Sequence, residues 1–385
     1  MTEHSSPHVL IAGGGVAALE VLIALRALAG DRVRITLVAP GPDFVYRPLS
    51  VAEPFELGAA RRYPLAGIAA DFGARLVPAS VVAVEAAARR VRCRSGEILS
   101  YDVLVLAPGA RTMEPFDDAI TFGHPAAGDA VRQLLERLRR GEARRVAFIA
   151  PTRVGWALPL YELALMTGAE LRAHGVEDAE LFLVTPEARP LDVFGDEASA
   201  MVGRLLHAAG VAFTGSTYAD QVRGELRLGT AGPALEVDAI VALPLMRGPR
   251  LTGVPTEPQL GFLPVDAFGR VADTEGVYAA GDVTDFPVKQ GGLATQQADA
   301  VAEHIAARLG AAVTPEPFRP VLRGMLLTGG EPRFMAADLR EGGTERASAQ
   351  APWRPAAKIA GRYLAPYLAD RDRDLDAEPP VGIPA

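Results

Sequence analysis

Residues 9–20 read V-L-I-A-G-G-G-V-A-A-L-E, an apolar strand, three glycines and the start of a helix. No other segment constrains the chain so tightly. It fits the G-x-G-x-x-A form of the dinucleotide fingerprint. Gly13 permits the tight turn, Gly15 lets the backbone approach a pyrophosphate, and Ala18 lets the helix pack closely on the strand. Val16 and Ala17 open that helix, whose N-terminus faces the anion. Gly-rich strand-to-helix turns also occur without a ligand, so a second feature has to decide. Residues 276–285, G-V-Y-A-A-G-D-V-T-D, supply it: a short strand ending in a small-small-Asp turn.

A third segment joins the two. Residues 99–110, L-S-Y-D-V-L-V-L-A-P-G-A, form a buried-type strand ending in small residues. The order of fingerprint, Y-D-x-L-V-L-A-x-G and A-G-D resembles the FAD-dependent pyridine nucleotide-disulfide oxidoreductase superfamily. The match is nearest to the branch of sulfide:quinone oxidoreductases, flavocytochrome c sulfide dehydrogenases and type II NADH dehydrogenases. F-V-Y-R-P-L at 44–49, K-Q-G-G-L-A at 289–294 and W-R-P-A-A-K-I-A-G-R-Y-L-A-P-Y-L at 353–368 match as well. The resemblance implies an α/β fold of two Rossmann-like dinucleotide-binding domains, glutathione-reductase-like, with non-covalent FAD. It makes Asp282 the carboxylate for the ribityl chain and Arg47 with Pro48 a clamp over the pyrophosphate, where a plain surface loop is the alternative. Val82, Ala107, Pro108, Gly109, Gly281, Gly291, Gly292 and Leu293 are further candidate cofactor contacts on the same ground.

The chain has 385 residues, 49% hydrophobic and 22% charged, with net charge −8 and no basic block, which argues against a nucleic-acid partner. No apolar run approaches a membrane span, and no signal peptide is read before the fingerprint, so a cytoplasmic protein is expected. The six histidines show no ligand spacing, and no metal is expected. Cys93 is the one cysteine and is read as an inward strand residue rather than a reactive thiol, although flanking arginines favour a lowered pKa. A single cysteine forms neither a disulfide nor a persulfide relay, so the sulfide chemistry of the nearest branch fails here.

Periodicity predicts helices over 17–28, 129–140, 159–171, 198–209 and 293–309. Strands are expected at 9–12, 33–38, 101–106, 145–150, 180–185, 237–243 and 277–280, and an antiparallel excursion at 75–84 and 89–94. Residues 1–120 with 245–315 then form a discontinuous FAD domain, and 121–244 an inserted NAD(P)-binding-like domain. Residues 316–369 form a C-terminal cap segment with a strand pair across Gly329-Gly330, and 340–351 a loop. Trp353, Ile359, Tyr363, Leu364 and Tyr367 suit one apolar helical face that roofs the site or meets a second copy in a homodimer. Residues 370–385 read as a disordered tail.

The inserted domain departs from the pattern. Its strand runs into A-P-T-R-V-G-W-A-L-P at 150–159, without the glycines that bring backbone to a pyrophosphate, and Pro151 removes a donor. Standard NAD(P)H binding is therefore not expected, though Arg153 and Arg189 leave a phosphate in another pose open. The second strand ends in Val38-Ala39-Pro40, without the usual ribose acid, so backbone groups, Asp43 or Arg47 hold the adenosine. Candidate catalytic residues are Lys289 and Gln290, whose turn stabilises an anionic reduced flavin or is merely solvated, and Glu162, facing the ring or simply starting a helix. Trp156 and Tyr161 cover the flavin face or pack between domains, packing being favoured for Trp156. A-T-Q-Q-A at 294–298 resembles a quinone-site stretch. The function expected is electron or hydride transfer between a donor and an acceptor such as a quinone or small redox protein. Alternatives are an NAD(P)H dehydrogenase with a non-standard loop and a non-catalytic flavin-binding redox module.

Overall fold

The computed structural model describes residues 6–152, 155–222, 225–229, 232, 234–340 and 343–377. Two five-stranded parallel sheets organise the chain. The first has the order Val277–Ala279, Val103–Leu106, His8–Ala12, Arg34–Val38, Arg75–Val77. Its first strand sits centrally, with Val9 beside both Ile35 and Val103. These strands are near-continuous apolar runs because both faces are covered, as a parallel sheet requires. Val277–Ala279 belongs to this sheet, so the first domain is completed by chain that follows the insertion.

The inserted sheet has the order Ile120–Thr121, Ala239–Ala242, Arg145–Ile149, Glu180–Val184, Val211–Thr214. Among the described residues seven α-helices surround the sheets: α1 Val16–Ala29, α2 Leu65–Asp71, α3 Ala127–Arg139, α4 Leu158–Ala173, α5 Gly195–Ala208, α6 Gly291–Arg308 and α7 Leu364–Ala377. Helices α1 and α6 pack side by side through small residues, among them Ala17, Ala18, Ala24, Ala294, Ala298 and Ala302, in one buried cluster with Val9, Ile11 and Val105. A third, antiparallel sheet runs Val321–Leu326, Arg333–Asp338, Glu345–Ser348. Among the described residues no helix is long and apolar enough to cross a membrane.

Four expectations are corrected. Residues 353–363 are not helical, and α7 starts only at Leu364, because Pro355 and Gly361 interrupt the segment. Of the apolar residues counted there, Ile359 and Leu364 are buried and Trp353, Tyr363 and Tyr367 are partly buried. Helix α7 continues to Ala377, past Asp370, since its alternating charges meet partners: Arg371 pairs with Asp71 and Asp372 with Arg61. The polar stretch read as a loop at 340–351 contains a strand, Glu345–Ser348, because Arg333–Asp338 would otherwise leave an unpaired edge. Finally, Arg75–Val77 joins the parallel sheet, and the excursion is the three-stranded Val81–Glu85, Arg90–Cys93, Ile98–Ser100.

Candidate functional site

The site forms where the carboxyl ends of the first sheet meet the insertion and the C-terminal segment, beside the central strand, where open α/β sheets place their ligands. Gly13 has φ +145°, and a Cβ there would collide with the Ala107 carbonyl oxygen. Only glycine lets the 103–107 strand end approach so closely. A Cβ on Gly14 would press on Leu65 and Ala39 at 2.8 and 2.9 Å. Gly15 differs. It is the N-cap of α1 with φ −97°, and nothing lies within 4 Å of the position its Cβ would take. The chain holds open space there, at a helix N-terminus with unsatisfied N–H groups.

On the other side stands the A-G-D turn. Gly281 has φ +82° and lies so near α1 that a Cβ would reach the Ala17 Cβ at 2.9 Å. Its N–H donates to Gln297 Oε1 at 2.7 Å, and Gln297 Nε2 donates to Thr284 Oγ1 at 3.2 Å. Thus α6 fixes the turn that presents Asp282. The Asp282 carboxylate lines the cleft and accepts no hydrogen bond from the described residues. Burial raises its pKa, and Lys289 opposes the rise.

Two adjoining clefts share Gly14, Asp43 and Pro108. The smaller, about 470 Å³, lies between the ends of the first two strands and residues 79–81, and takes in Arg94 and Arg111. The larger, about 610 Å³, runs past Gly15, Val16, Arg47, Pro48, Gly109, Asp282, Lys289, Gln290 and Gly291 to the inserted domain and the C-terminal segment. The structure therefore brings most of the sequence-predicted residues into one elongated site. Val82 lies just outside, its carbonyl accepting from Thr252 at 3.1 Å, while its neighbours Ala79, Ser80 and Val81 line the small cleft. Ala18 and Leu293 are buried behind the surface as packing residues, as is Gly292.

Several side chains carry roles the sequence did not fix. Gln290 is the N-cap of α6: its Oε1 accepts from Leu293 N at 2.9 Å and its Nε2 donates to the Arg323 carbonyl at 3.1 Å. That leaves the N–H groups of Gly291 and Gly292, at the first two helical positions, without an intrahelical acceptor. The Lys289 ammonium is turned under the A-G-D turn, onto the Thr284 carbonyl and over the Phe262 ring. Burial pulls its pKa down to about 8, and Asp282 opposes the fall. In the A-T-Q-Q-A stretch Gln297 holds the A-G-D turn, while Gln296 clamps Val321 through its N–H and carbonyl at 2.9 Å each. Both glutamines are thus engaged by protein.

Glu162, on α4, is fully buried. Lys358 from the C-terminal segment donates to both its oxygens at 2.6 and 2.7 Å, and Leu327 N donates at 2.9 Å. Burial raises the carboxyl's pKa and the ammonium pulls it back down. Next to Lys358, the Ile359 N–H donates to Tyr46 Oη at 3.1 Å, and the Ile359 side chain lies where a Cβ on Gly291 would be, at 2.7 Å. The C-terminal segment therefore roofs the end of the cleft, although it is not a helix there. Lys358 escaped the sequence reading because its partner is 196 residues away and its own neighbourhood reads as a helix surface.

In the second βαβ unit the corresponding loop has Gly155, and a Cβ there would meet the Lys289 side chain at 2.7 Å rather than open space. Arg153 lies outside the described residues, and Arg189 is paired with Asp192 and Asp196, so it is not free for a phosphate. Glu187 follows the second strand of this unit, where a dinucleotide domain presents its ribose acid. Here its carboxylate accepts from Tyr161 Oη at 2.7 Å and Thr185 Oγ1 at 3.3 Å. Trp156 packs edge-on against Phe194, with ring centres 5.9 Å apart. Cys93 is buried in the excursion sheet away from both clefts, and burial raises its thiol pKa rather than lowering it. Among the described residues, no His, Cys, Asp or Glu cluster is arranged to hold a metal ion.

The sequence profile described as pyridine nucleotide-disulphide oxidoreductase matches residues 7–302. A sulfide-quinone reductase of Aquifex aeolicus is 28% identical over 180 residues, 44% of this chain and 40% of that protein. An NADH dehydrogenase-like protein of Mycobacterium tuberculosis is 31% identical over 239 residues, 58% of each. The matches thus span about half the length of these curated relatives. The crystal structure of the Aquifex aeolicus sulfide:quinone oxidoreductase superposes with a TM-score of 0.81 at 19% identity, covering 96% of this chain and 90% of that one. NDH2 from Plasmodium falciparum, solved in complex with NADH, gives 0.69 at 12% identity, covering 96% and 95%. At such identities the likeness shows the fold. With its profile match across most of its length, the chain belongs to the pyridine nucleotide-disulphide oxidoreductase family, a family of flavin-dependent oxidoreductases.

Proposed function

We propose that the protein is an FAD-dependent oxidoreductase that holds FAD non-covalently and passes electrons between a donor and an acceptor such as a quinone or small redox protein. The observation that carries this reading is the space kept free at Gly15, in the same cleft as Asp282, whose carboxylate accepts no hydrogen bond from the described residues. Bound FAD would supply the electron transfer, and the chain supplies binding, orientation and shielding. The first turn of α1 meets the pyrophosphate, and Asp282 suits the hydroxyls of the ribityl chain. The small cleft takes the adenosine, with Asp43, Arg94 and Arg111 in place of the missing ribose acid. The Gly291 N–H at the start of α6 offers a donor to the electron-rich edge of the ring, and the Lys358–Ile359 roof keeps water from it.

Donor use differs from that of the named relatives. The thiol of Cys93 lies outside both clefts, which speaks against sulfide chemistry through cysteines. The engaged Glu187 and the glycine-poor loop speak against NAD(P)H in its usual pose. The relatives named for NADH favour a second reading, an NAD(P)H dehydrogenase with a non-standard loop. Two measurements separate these. Denaturation should release all colour as FAD, and FMN or no flavin would sink the assignment. Anaerobic mixing of holo-protein with NADH, NADPH and sulfide should leave the flavin spectrum oxidised, whereas fast bleaching by either nicotinamide would establish the second reading.

A further inference from the structure

Arg323 is a cation of the large cleft that no described side chain neutralises. It lies on the strand Val321–Leu326, where Leu322, Gly324 and Leu326 are buried while Val321, Arg323 and Met325 alternate with them. The inward face is fixed by packing, since a Cβ on Gly324 would strike Phe194 at 2.7 Å and Leu158 at 2.9 Å. The strand is tied to the α6 N-terminus by Gln290, whose Nε2 donates to the Arg323 carbonyl. The guanidinium is thereby held at the ring end of the cleft. It is half-buried, and desolvation alone depresses its pKa. No described side chain gives it a hydrogen bond or an ion pair.

Its neighbours contrast with it. The larger cleft has four cations, Arg47, Lys289, Arg323 and Lys358, and three acids, Asp43, Glu162 and Asp282. Glu162 is fully engaged by Lys358, and Asp282 acts on Lys289. Arg47 is exposed, at the end that meets the small cleft through Asp43. A half-desolvated guanidinium without an anion is costly, and the cleft it lines also presents apolar surface from Trp156, Phe122, Leu243 and Met246. A planar fork of donors at that position suits a carboxylate or similar oxyanion bidentately.

We propose that the ring end of the cleft binds an organic anion, a carboxylate or comparable oxyanion on an apolar body, and that Arg323 is the residue that recognises it. This rests on the FAD reading above and names the substrate class of that same site. A neutral ligand of equal shape would leave the guanidinium desolvated and unpaired, so the site discriminates by charge.

The test uses holo-protein with benzoate and its neutral counterpart benzamide as probes, followed by calorimetry and by the flavin absorption spectrum. Benzoate should bind at least about tenfold more tightly than benzamide. Arg323→Met should abolish that preference with FAD content and melting temperature retained, and Arg323→Lys should keep part of it. Equal binding of the two probes to the native protein, no binding of benzoate, or a preference that survives Arg323→Met would each overturn the proposal. The comparison on the native protein stands even if a variant does not fold. Protein that retains no FAD would instead overturn the reading of the site itself, which separates the two failures.

Discussion

The two βαβ units of this chain share the order of four parallel strands and differ at the turn after the first of them. In the first, the loop after His8–Ala12 is pulled in at Gly13 and Gly14 and left bare at Gly15. In the second, the loop after Arg145–Ile149 has Gly155, where a Cβ would meet the Lys289 side chain at 2.7 Å. Trp156 fills against Phe194, and the residue that would greet a ribose is engaged by Tyr161. The first unit keeps free donors and free space for an anion, and the second converts the same architecture into packing. On the function proposed above, one fold carries both a cofactor site and a scaffold, and a few side chains decide which.

The strongest way to break this contrast is Gly15→Leu. With no atom within 4 Å of the new Cβ and an ordinary φ of −97°, the fold should tolerate it. The side chain would fill the space meant for the pyrophosphate, and the purified protein should be colourless yet melt cooperatively. Retained flavin would show that the opening is not the binding site.

Next comes the second unit's tie to the roof. Lys358→Met leaves Glu162 buried without its counter-charge, which should cost about 3–5 kcal/mol or force the carboxyl to take a proton. Denaturant titration checks the loss. A loss well below ~1 kcal/mol at neutral pH would show that the pair is dispensable.

A third test concerns how the C-terminal segment is held to the first unit. Glu20 on α1, fully buried, accepts from Tyr363 N and Leu364 N at 2.8 Å each, and its charge opposes ionisation of the Asp299 carboxyl on α6, so the pair favours sharing one proton. Burial and the Glu20 charge push the Asp299 carboxyl up to about 8, with Arg362 opposing and Glu303 adding to the rise. A folded pKa raised above the unfolded 3.8 gives stability that is full at low pH and is lost as pH climbs toward about 8. Thermal stability and protease resistance of the segment should therefore fall from pH 5 to pH 9 by more than in Asp299→Asn. Equal pH profiles in both proteins would refute the shared proton.

The smallest effect is expected from Tyr161→Phe. It removes one hydrogen bond from Glu187 and should cost about 1–3 kcal/mol, since a buried acceptor is left partly unsatisfied. It should not create nicotinamide binding, because the glycine-poor loop remains. Gain of NADH binding would show that Tyr161 alone closes the site.

Much of this was legible in residues close together in sequence. The fingerprint at 13–18 and the turn at 281–282 are read from spacing alone, because each requires small residues for a local backbone approach. What escaped was set by distant chain. Lys358 meets Glu162, Asp299 meets Glu20, and Arg323 faces a cleft built from many separate segments, and no local period encodes such meetings. The helix expected from Trp353 failed for another reason. Counting apolar spacing ignored Pro355 and Gly361, which break the backbone although the same side chains stay buried or partly buried. The strand Glu345–Ser348 was missed because its polar composition reflects an edge position.

The central claim is that one unit binds a dinucleotide and the other does not. Calorimetric titration of flavin-free protein with FAD, and of the holo-protein with NADH and NADPH, tests it directly. One equivalent of FAD and no heat from either nicotinamide is the predicted result. Stoichiometric, saturable binding of NADH or NADPH to the holo-protein would contradict it.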